Sequence, residues 1–387
     1  MNKNITNSVV YVGVDDKTLD LFEGQYPVPN GMAYNSYVIL DEKITVMDGV
    51  DERAVDEWLD NVEKALDGKK PEYIVVQHLE PDHSAGVSSF IAKYPDVKVV
   101  ANAQIFRMAS QFGIEVAEDK KVTVKEGDTL DLGSHKLNFV MAPMVHWPEV
   151  MMTYESSEKI LFAADAFGKF GTLDTDEDWA CEARRYYFNI CGKFGPQVSA
   201  VLAKADALDI EIICSLHGPI LTENLEYYIN LYKTWAAYDV EAEGVFVVYA
   251  SMHGNTAKAA ELLKEELLAQ GCKKVAMHDL ARDMFSEAIE DAFKYGKLVL
   301  ASPTYETELM PIVSMFLHDL EHKNYQKRKV GFIQNGTWAP MSGKFMKAGF
   351  EKLSDITFCD TMVTIKSTVS DANKEEIKQL AKEILAD

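Results

Sequence analysis

The segment His78-Leu79-Glu80-Pro81-Asp82-His83 constrains the fold of this chain more than any other. His78, Glu80, Asp82 and His83 can each ligate a metal. They follow Tyr73-Ile74-Val75-Val76, a β-branched apolar run that reads as a buried strand. They precede Ser84 to Phe90, which reads as a helix start capped by Ser84. The fold must therefore use a sheet to deliver this loop to one end, where its side chains converge on a point. The bland alternative is a solvated polar loop.

Three more candidate ligands lie downstream, each just after an apolar strand-like run. They are His146 in Ala142 to Glu149, Asp165 in Leu161 to Gly168, and His217 in Ile212 to Pro219. With the first loop they give His78, His83, His146 and His217, plus the carboxylates Glu80, Asp82 and Asp165. Two metals need about this many ligands if one carboxylate bridges and positions stay open for substrate. Asp165, midway in the order, is the natural bridge. The first loop resembles the His-x-His-x-Asp-His signature of the metallo-β-lactamase superfamily, with Glu80 where a second His stands. Zinc hydrolases favour imidazole-rich sites. A carboxylate hardens the site toward iron or manganese, and so toward redox chemistry.

Composition narrows the setting. A chain of 387 residues is long enough for two domains with full cores. No apolar run approaches a membrane span, and the N-terminal residues lack an apolar signal core, so the expected home is cytoplasmic. The five cysteines form no Cys-x-x-Cys pair, which argues against zinc ribbons and cysteine-ligated iron sites. A formal charge of -22 disfavours nucleic acid and anionic membrane as partners. The basic run Lys323 to Lys329 reads as a solvated turn before a strand, or as a patch for an acidic electron donor.

The pattern changes at Glu241-Ala242-Glu243-Gly244, dividing the chain into expected domains 1–242 and 243–387. Before the break, short strands dominate: Val9 to Val14, Tyr37 to Leu40, Ile44 to Asp48, and the stretches Lys121 to Ala142 and Met151 to Ala164. Helices are expected over Asp51 to Leu66, Ser84 to Tyr94, Ala103 to Phe112 and Leu221 to Tyr238. After it, strands Val245 to Tyr249, Leu298 to Ala301 and Val330 to Gln334 alternate with helices Thr256 to Gln270 and Glu308 to Leu320. That alternation predicts a doubly wound parallel sheet. Its first strand leads into Ser251-Met252-His253-Gly254-Asn255-Thr256, a hydroxyl- and glycine-containing turn into a helix. Such a turn cradles a phosphate with backbone N–H groups, or it is simply a helix cap. The Gly-Lys-Ser/Thr ending of a Walker loop is missing. Ser302-Pro303-Thr304-Tyr305 and Asn335-Gly336-Thr337-Trp338 follow the next two strands, at the edge where ligands bind in such sheets.

Taken together, these motifs resemble the flavodiiron proteins over essentially the whole chain. The resemblance implies a metallo-β-lactamase-like αββα sandwich followed by a flavodoxin-like domain. It implies FMN on the three C-terminal loops, with Thr304 and Tyr305 beside the flavin and Trp338 stacking on it. The third loop departs from the family's more usual Gly-Ser-x-Gly-Trp. Two irons are implied: His78, Glu80 and His146 on one, Asp82, His217 and usually His83 on the other, and Asp165 between them. Tyr26, Trp147 and Tyr187 would approach the substrate pocket or else be ordinary aromatic core. The implied activity is reduction of dioxygen to water, nitric oxide to nitrous oxide, or both. The implied donor is rubredoxin or a rubredoxin-reducing flavoprotein. The implied assembly is a head-to-tail homodimer or a dimer of dimers. Two other readings stay open: a metal-dependent thioester or lactone hydrolase with an accessory domain, and an electron-transfer flavoprotein with a vestigial metal site.

Overall fold

The computed structural model describes residues 3–386. The chain forms two compact units. One comprises the chain up to Tyr187 with Pro196–Lys233; the other comprises Phe188–Gly195 with Thr234 onward.

The first unit is an αββα sandwich of two mixed sheets. Seven strands form one sheet in the order Lys3–Asn4, Val9–Tyr11, Tyr37–Ile39, Thr45–Met47, Tyr73–Val75, Lys98–Asn102 and Lys121–Val124. Five form the other: Thr129–Asp131, Lys136–Met141, Met151–Glu155, Ile160–Phe162 and Ile212–Cys214. Their inner faces interlock through aromatics. Tyr37 meets Phe162 edge-on, with ring centres 5.4 Å apart. The helix Val55–Leu66 buries Trp58, Val62 and Leu66, and the Trp58 indole N–H donates to Ser36 Oγ at 2.9 Å.

Three expected elements change at their ends. Val9 to Val14 is not one strand: it breaks after Tyr11, and Val14–Asp16 pairs with Met32–Tyr34 instead. Gly13 marks the break, because a Cβ there would collide with the Tyr34 carbonyl. The helix expected from Leu221 runs over Leu225–Ala236, since Leu221 exchanges backbone bonds with Ile213. The helix expected from Ser84 is split into Pro81–Ser84 and Val87–Lys93. Pro81 fixes φ at the first turn, so the helix starts three residues before Ser84 and carries Asp82 and His83 with it. Ser84 is no cap; its hydroxyl donates back to Leu79 O at 2.7 Å.

The second unit is a doubly wound parallel sheet in the order Val275–Asp279, Ala242–Tyr249, Tyr295–Tyr305, Arg328–Asn335, Ile356–Ile365. Val245 and Val247 pack with Ala259, Leu263, Ile377 and Leu380 of helices Asn255–Ala269 and Asp371–Leu385. Phe246 and Val248, one residue out of phase, are buried on the opposite face. The central strand outruns its apolar core. It continues through Ser302-Pro303-Thr304-Tyr305 and turns back so that Thr304 pairs with Leu309. The next helix therefore begins at Pro311 rather than Glu308.

The basic run before the fourth of these strands is a set of staples. Lys327 Nζ bonds Ala237 O and Asp239, Lys329 Nζ bonds Ala386 O, and the buried Arg328 guanidinium donates to the carbonyls of Tyr238 and Phe293. These cations are committed to their own fold, which leaves little for an acidic partner. Among the described residues no helix is long and apolar enough to cross a membrane.

Candidate metal centre and flavin pocket

Four strand ends of the first unit deliver seven side chains to one buried spot. His78 and Glu80 follow strand Tyr73–Val75, and Asp82 and His83 ride on the single turn Pro81–Ser84. His146 lies between strands Lys136–Met141 and Met151–Glu155, Asp165 follows Ile160–Phe162, and His217 follows Ile212–Cys214. The ligand atoms of His78, Glu80, His146 and Asp165 lie within 4.8 Å of one another, as do those of Asp82, His83 and His217. Asp165 joins the two groups. Its Oδ2 is 3.3 Å from His78 Nε2 and 3.5 Å from His146 Nε2. Its Oδ1 is 3.1 Å from His83 Nε2 and 3.6 Å from His217 Nε2. Gly168 permits this approach: a Cβ there would meet Asp165 O at 2.9 Å and His217 Cβ at 3.3 Å.

Outer partners aim the rings. Glu149 Oε1 accepts from His78 Nδ1 at 2.8 Å and from Leu79 N at 3.0 Å, which turns His78 Nε2 inward. His217 Nδ1 donates to Ala33 O at 2.7 Å with the same effect. Glu149 was invisible as a site residue in the sequence because it serves a ligand and is not one. Glu149→Gln keeps the shape and removes the charge. Its expected outcome is metal affinity lowered roughly 10–100-fold, read by competition with a chelator.

Protons occupy the cluster when metal does not. Burial works against the His78 and His146 imidazolium forms, but contacts with carboxylates outweigh it. Glu149 and Glu80 hold His78 well above the ordinary range; Asp165 and Glu80 hold His146 at about 9. Burial also opposes ionisation of Asp165, yet the surrounding histidines keep it well below the usual carboxylate range. Burial wins at Asp82, pushed up to about 7, and at His217, pushed down. Even so, both oxygens of Asp82 and Asp165, both nitrogens of His83, and Nε2 of His146 and His217 lack a hydrogen-bond partner among the described residues. Buried polar atoms left open in this number are what a ligand set is expected to show. Four imidazoles and three carboxylates, one of them shared, fit a pair of iron ions.

The aromatic residues divide. Trp147, half-buried, lies edge-on to His78 with ring centres 5.2 Å apart. Tyr26 packs on Phe170 at 6.1 Å. Tyr187 packs away from the ligands, against Tyr232 at 5.2 Å. Its neighbour Tyr186 is the tyrosine beside the cluster, 5.5 Å from His217 between ring centres and 5.1 Å from Phe170. The buried Tyr186 hydroxyl has no hydrogen-bond partner among the described residues. Burial, then the charges of Asp165, Asp82 and Glu80, hold it firmly protonated. The missing signal was the helix Trp179–Tyr186, whose period puts Tyr186 in phase with Trp179 and Ala183.

In the second unit a cavity of about 380 Å³ opens at the C-terminal edge of the sheet. Ser251, Met252, His253, Asn255, Thr256, Pro303, Thr304, Asn335, Gly336, Thr337 and Trp338 all border it. Ser251 Oγ accepts from Gly254 N at 3.1 Å and Ala257 N at 3.3 Å, shaping the turn. Gly254 has φ +84 at the helix N-cap, with open space where a Cβ would point. An N-terminus so exposed suits a phosphate. Trp338, 90% exposed on the rim, offers a stacking face. Three expected residues do not border it. Gly254 only shapes the turn, Ser302 is fully buried with its hydroxyl bonded to Pro303 O, and Tyr305 is exposed, although Glu306 and Thr307 beyond it do border the cavity. The sequence reading missed Ser367, which follows the edge strand; its N–H donates to Asn335 Oδ1 at 3.0 Å and it lines the cavity. The cradle and the flat aromatic rim fit FMN.

Comparisons agree with this geometry. Residues 32–218 match the ODP family beta lactamase, and residues 246–360 match a flavodoxin domain. The chain is 28% identical to an anaerobic nitric oxide reductase flavorubredoxin of Escherichia coli O1:K1, over 90% of this chain and 76% of that one. It is also 28% identical to an uncharacterized protein of Methanocaldococcus jannaschii, over 98% of this chain and 97% of that one. In structure it resembles the rubredoxin oxygen:oxidoreductase of Desulfovibrio gigas, with a TM-score of 0.91 and 26% identity over 99% of this chain and 98% of that one. The flavodiiron protein of Giardia intestinalis shares the fold, with a TM-score of 0.89 and 24% identity over 99% and 96% of the two chains. A beta-lactamase-type domain with a carboxylate between two histidine-bearing groups, joined to a flavodoxin domain, gives this chain the two-domain architecture of the flavodiiron proteins.

Proposed function

We propose that this chain carries electrons from FMN to a non-haem diiron pair and reduces dioxygen to water, nitric oxide to nitrous oxide, or both. The observation that carries this reading is Asp165, with one oxygen toward His78 and His146 and the other toward His83 and His217. His78, Glu80 and His146 would hold one iron, Asp82, His83 and His217 the other. Bound iron supplies open positions for a diatomic gas and one-electron steps at each metal. The chain supplies the rest. Glu149 and the Ala33 carbonyl fix the rings. Trp147, Phe22 and Phe170 make the surroundings apolar and restrict water. Tyr186 keeps its proton at a hydroxyl beside the cluster, its ring packed among Phe22, Phe170 and His217. A hydroxyl held neutral there can donate a hydrogen bond to a group bound at the metals. Tyr186→Phe is expected to lower gas turnover roughly tenfold to a hundredfold, with iron and flavin content unchanged, in a stopped-flow assay.

The relatives named for rubredoxin and for flavorubredoxin support a rubredoxin-type donor, either rubredoxin itself or a rubredoxin-reducing flavoprotein. We extend the proposal to a head-to-tail homodimer, or a dimer of such dimers, in which FMN of one copy serves iron of the other. A monomer with full turnover would exclude that assembly.

The decisive experiment measures metal and flavin content, then follows the anaerobically reduced protein after dioxygen or nitric oxide is added in separate runs. Two irons and one FMN per chain, with fast reoxidation by at least one gas, are expected. Zinc without flavin would point to a hydrolase. Flavin without gas consumption would point to an electron carrier.

A further inference from the structure

The cavity of the second unit is bordered in part by a strained turn. Strand Tyr295–Tyr305 folds back into Glu308–Leu309, with Tyr305 opposite Glu308 and Thr304 opposite Leu309. Glu306 and Thr307 are therefore the whole loop, and their φ angles are +49 and +68. Two successive positive φ values in a two-residue hairpin loop are the signature of a type I′ turn, which favours Asn-Gly, Asp-Gly or Gly-Gly. Glu fits that backbone poorly, and a β-branched Thr fits it worse. The stalk of the hairpin is pinned from the side: Thr304 Oγ1 accepts from Met341 N at 2.8 Å and from Ser342 N at 3.1 Å. A pinned turn that keeps the wrong residues at a cofactor cavity points to a role for a side chain it carries.

The charge around the cavity singles out Glu306. Among the described residues it is the one carboxylate that borders the cavity, and no lysine or arginine borders it. The phosphate cradle is built by the turn after strand Ala242–Tyr249. The loops after the next two strands of the sheet, Tyr295–Tyr305 and Arg328–Asn335, are left to flank the flavin ring, and Glu306 lies on the first of them. Full reduction of FMN takes two electrons from the donor and, at neutral pH, one proton, so the ring gains one negative charge. A fixed carboxylate nearby opposes that gain and leaves oxidised FMN, whose ring is neutral, almost untouched.

We propose that Glu306 sets the reduction potential of the flavin: its carboxylate, held at the cavity edge by the strained turn, weakens the binding of reduced FMN relative to oxidised FMN and makes the reduced flavin a stronger reductant. The inference rests on the FMN reading above. Anaerobic reductive titration of the FMN- and iron-loaded protein, followed by flavin absorbance against a reference dye, tests it. Glu306→Gln should raise the preference for reduced over oxidised FMN about threefold to tenfold, an upward shift of about 14–30 mV in the two-electron potential. Glu306→Lys should shift it further the same way. Salt at about 1 M, where the screening length is about 3 Å, should erase most of the difference. Thr307→Gly keeps the charge and suits the turn, so its potential should match that of the unmodified protein. Equal potentials in the unmodified protein and Glu306→Gln, a shift indifferent to salt, or a Thr307→Gly shift as large as that of Glu306→Gln would overturn the proposal and leave the FMN reading standing. Unmodified protein that takes up no FMN would overturn both.

Discussion

Asp165→Ala is expected to give a protein that binds FMN and accepts electrons from its donor, yet consumes gas at background rate. The geometry leaves this carboxylate no substitute. Each oxygen lies within 3.1–3.6 Å of two imidazole Nε2 atoms, and it alone reaches both groups. Truncation leaves four rings aimed at a gap with no shared anion. An outer partner such as Glu149 costs roughly 10–100-fold when removed; loss of a shared ligand should exceed that, on the order of a thousandfold or more in gas turnover. Oxygen- and nitric-oxide-electrode assays beside flavin absorbance separate the two halves of the reaction. Unimpaired gas consumption with two irons retained would show that the carboxylate is not a bridge.

The residues that made the site legible in the sequence are the ones whose chemistry is rare after an apolar run. A His or Asp directly behind a β-branched strand must sit at a sheet edge, and four such edges in order point to one place. The structure brings His78, His146, Asp165 and His217 together from such edges. It carries Asp82 and His83 on a turn of helix rather than a loop, because Pro81 starts that turn where a Ser84 cap is expected.

What stayed illegible depends on packing that no local pattern carries. The helix Trp179–Tyr186 contains Arg184 and Arg185, both 2% exposed, which a binary pattern assigns to solvent. Without that helix, Tyr186 and Tyr187 could not be told apart, although one faces His217 and the other Tyr232. In the second unit, strand Val275–Asp279 is half-buried throughout and lies at the sheet edge, so it gave only a weak apolar signal. Ser302 failed as a cavity residue because its side chain is fully buried, with its hydroxyl turned onto Pro303 O and its carbonyl taken by Ser342 Oγ. Ser367 borders the cavity because its N–H donates to the Asn335 side chain, a link between residues far apart in the chain.

Metal-free protein should lose stability as pH rises, and metal should reverse that trend. His146 has a folded pKa of about 9, against roughly 6.5 for a free imidazole. The folded chain thus holds a proton that the unfolded chain releases. That contribution is full below about pH 6.5 and is lost as pH rises through 9. Asp82 acts in the same direction. Burial lifts it to about 7, against roughly 3.9 when unfolded, so each step upward between those values favours the unfolded chain. The protons on these groups stand where metal charge belongs, and metal binding must displace them. Metal affinity should therefore climb as pH rises, while the metal-free melting temperature falls. Thermal melts of metal-free and iron-loaded protein at mildly acidic, neutral and mildly alkaline pH measure both trends. The gap between the two forms should widen by several degrees toward alkaline pH. A metal-free melting temperature that holds level or rises over that range would mean that the cluster is not protonated in this way, and that Asp165 and Glu80 are balanced by something other than His78 and His146.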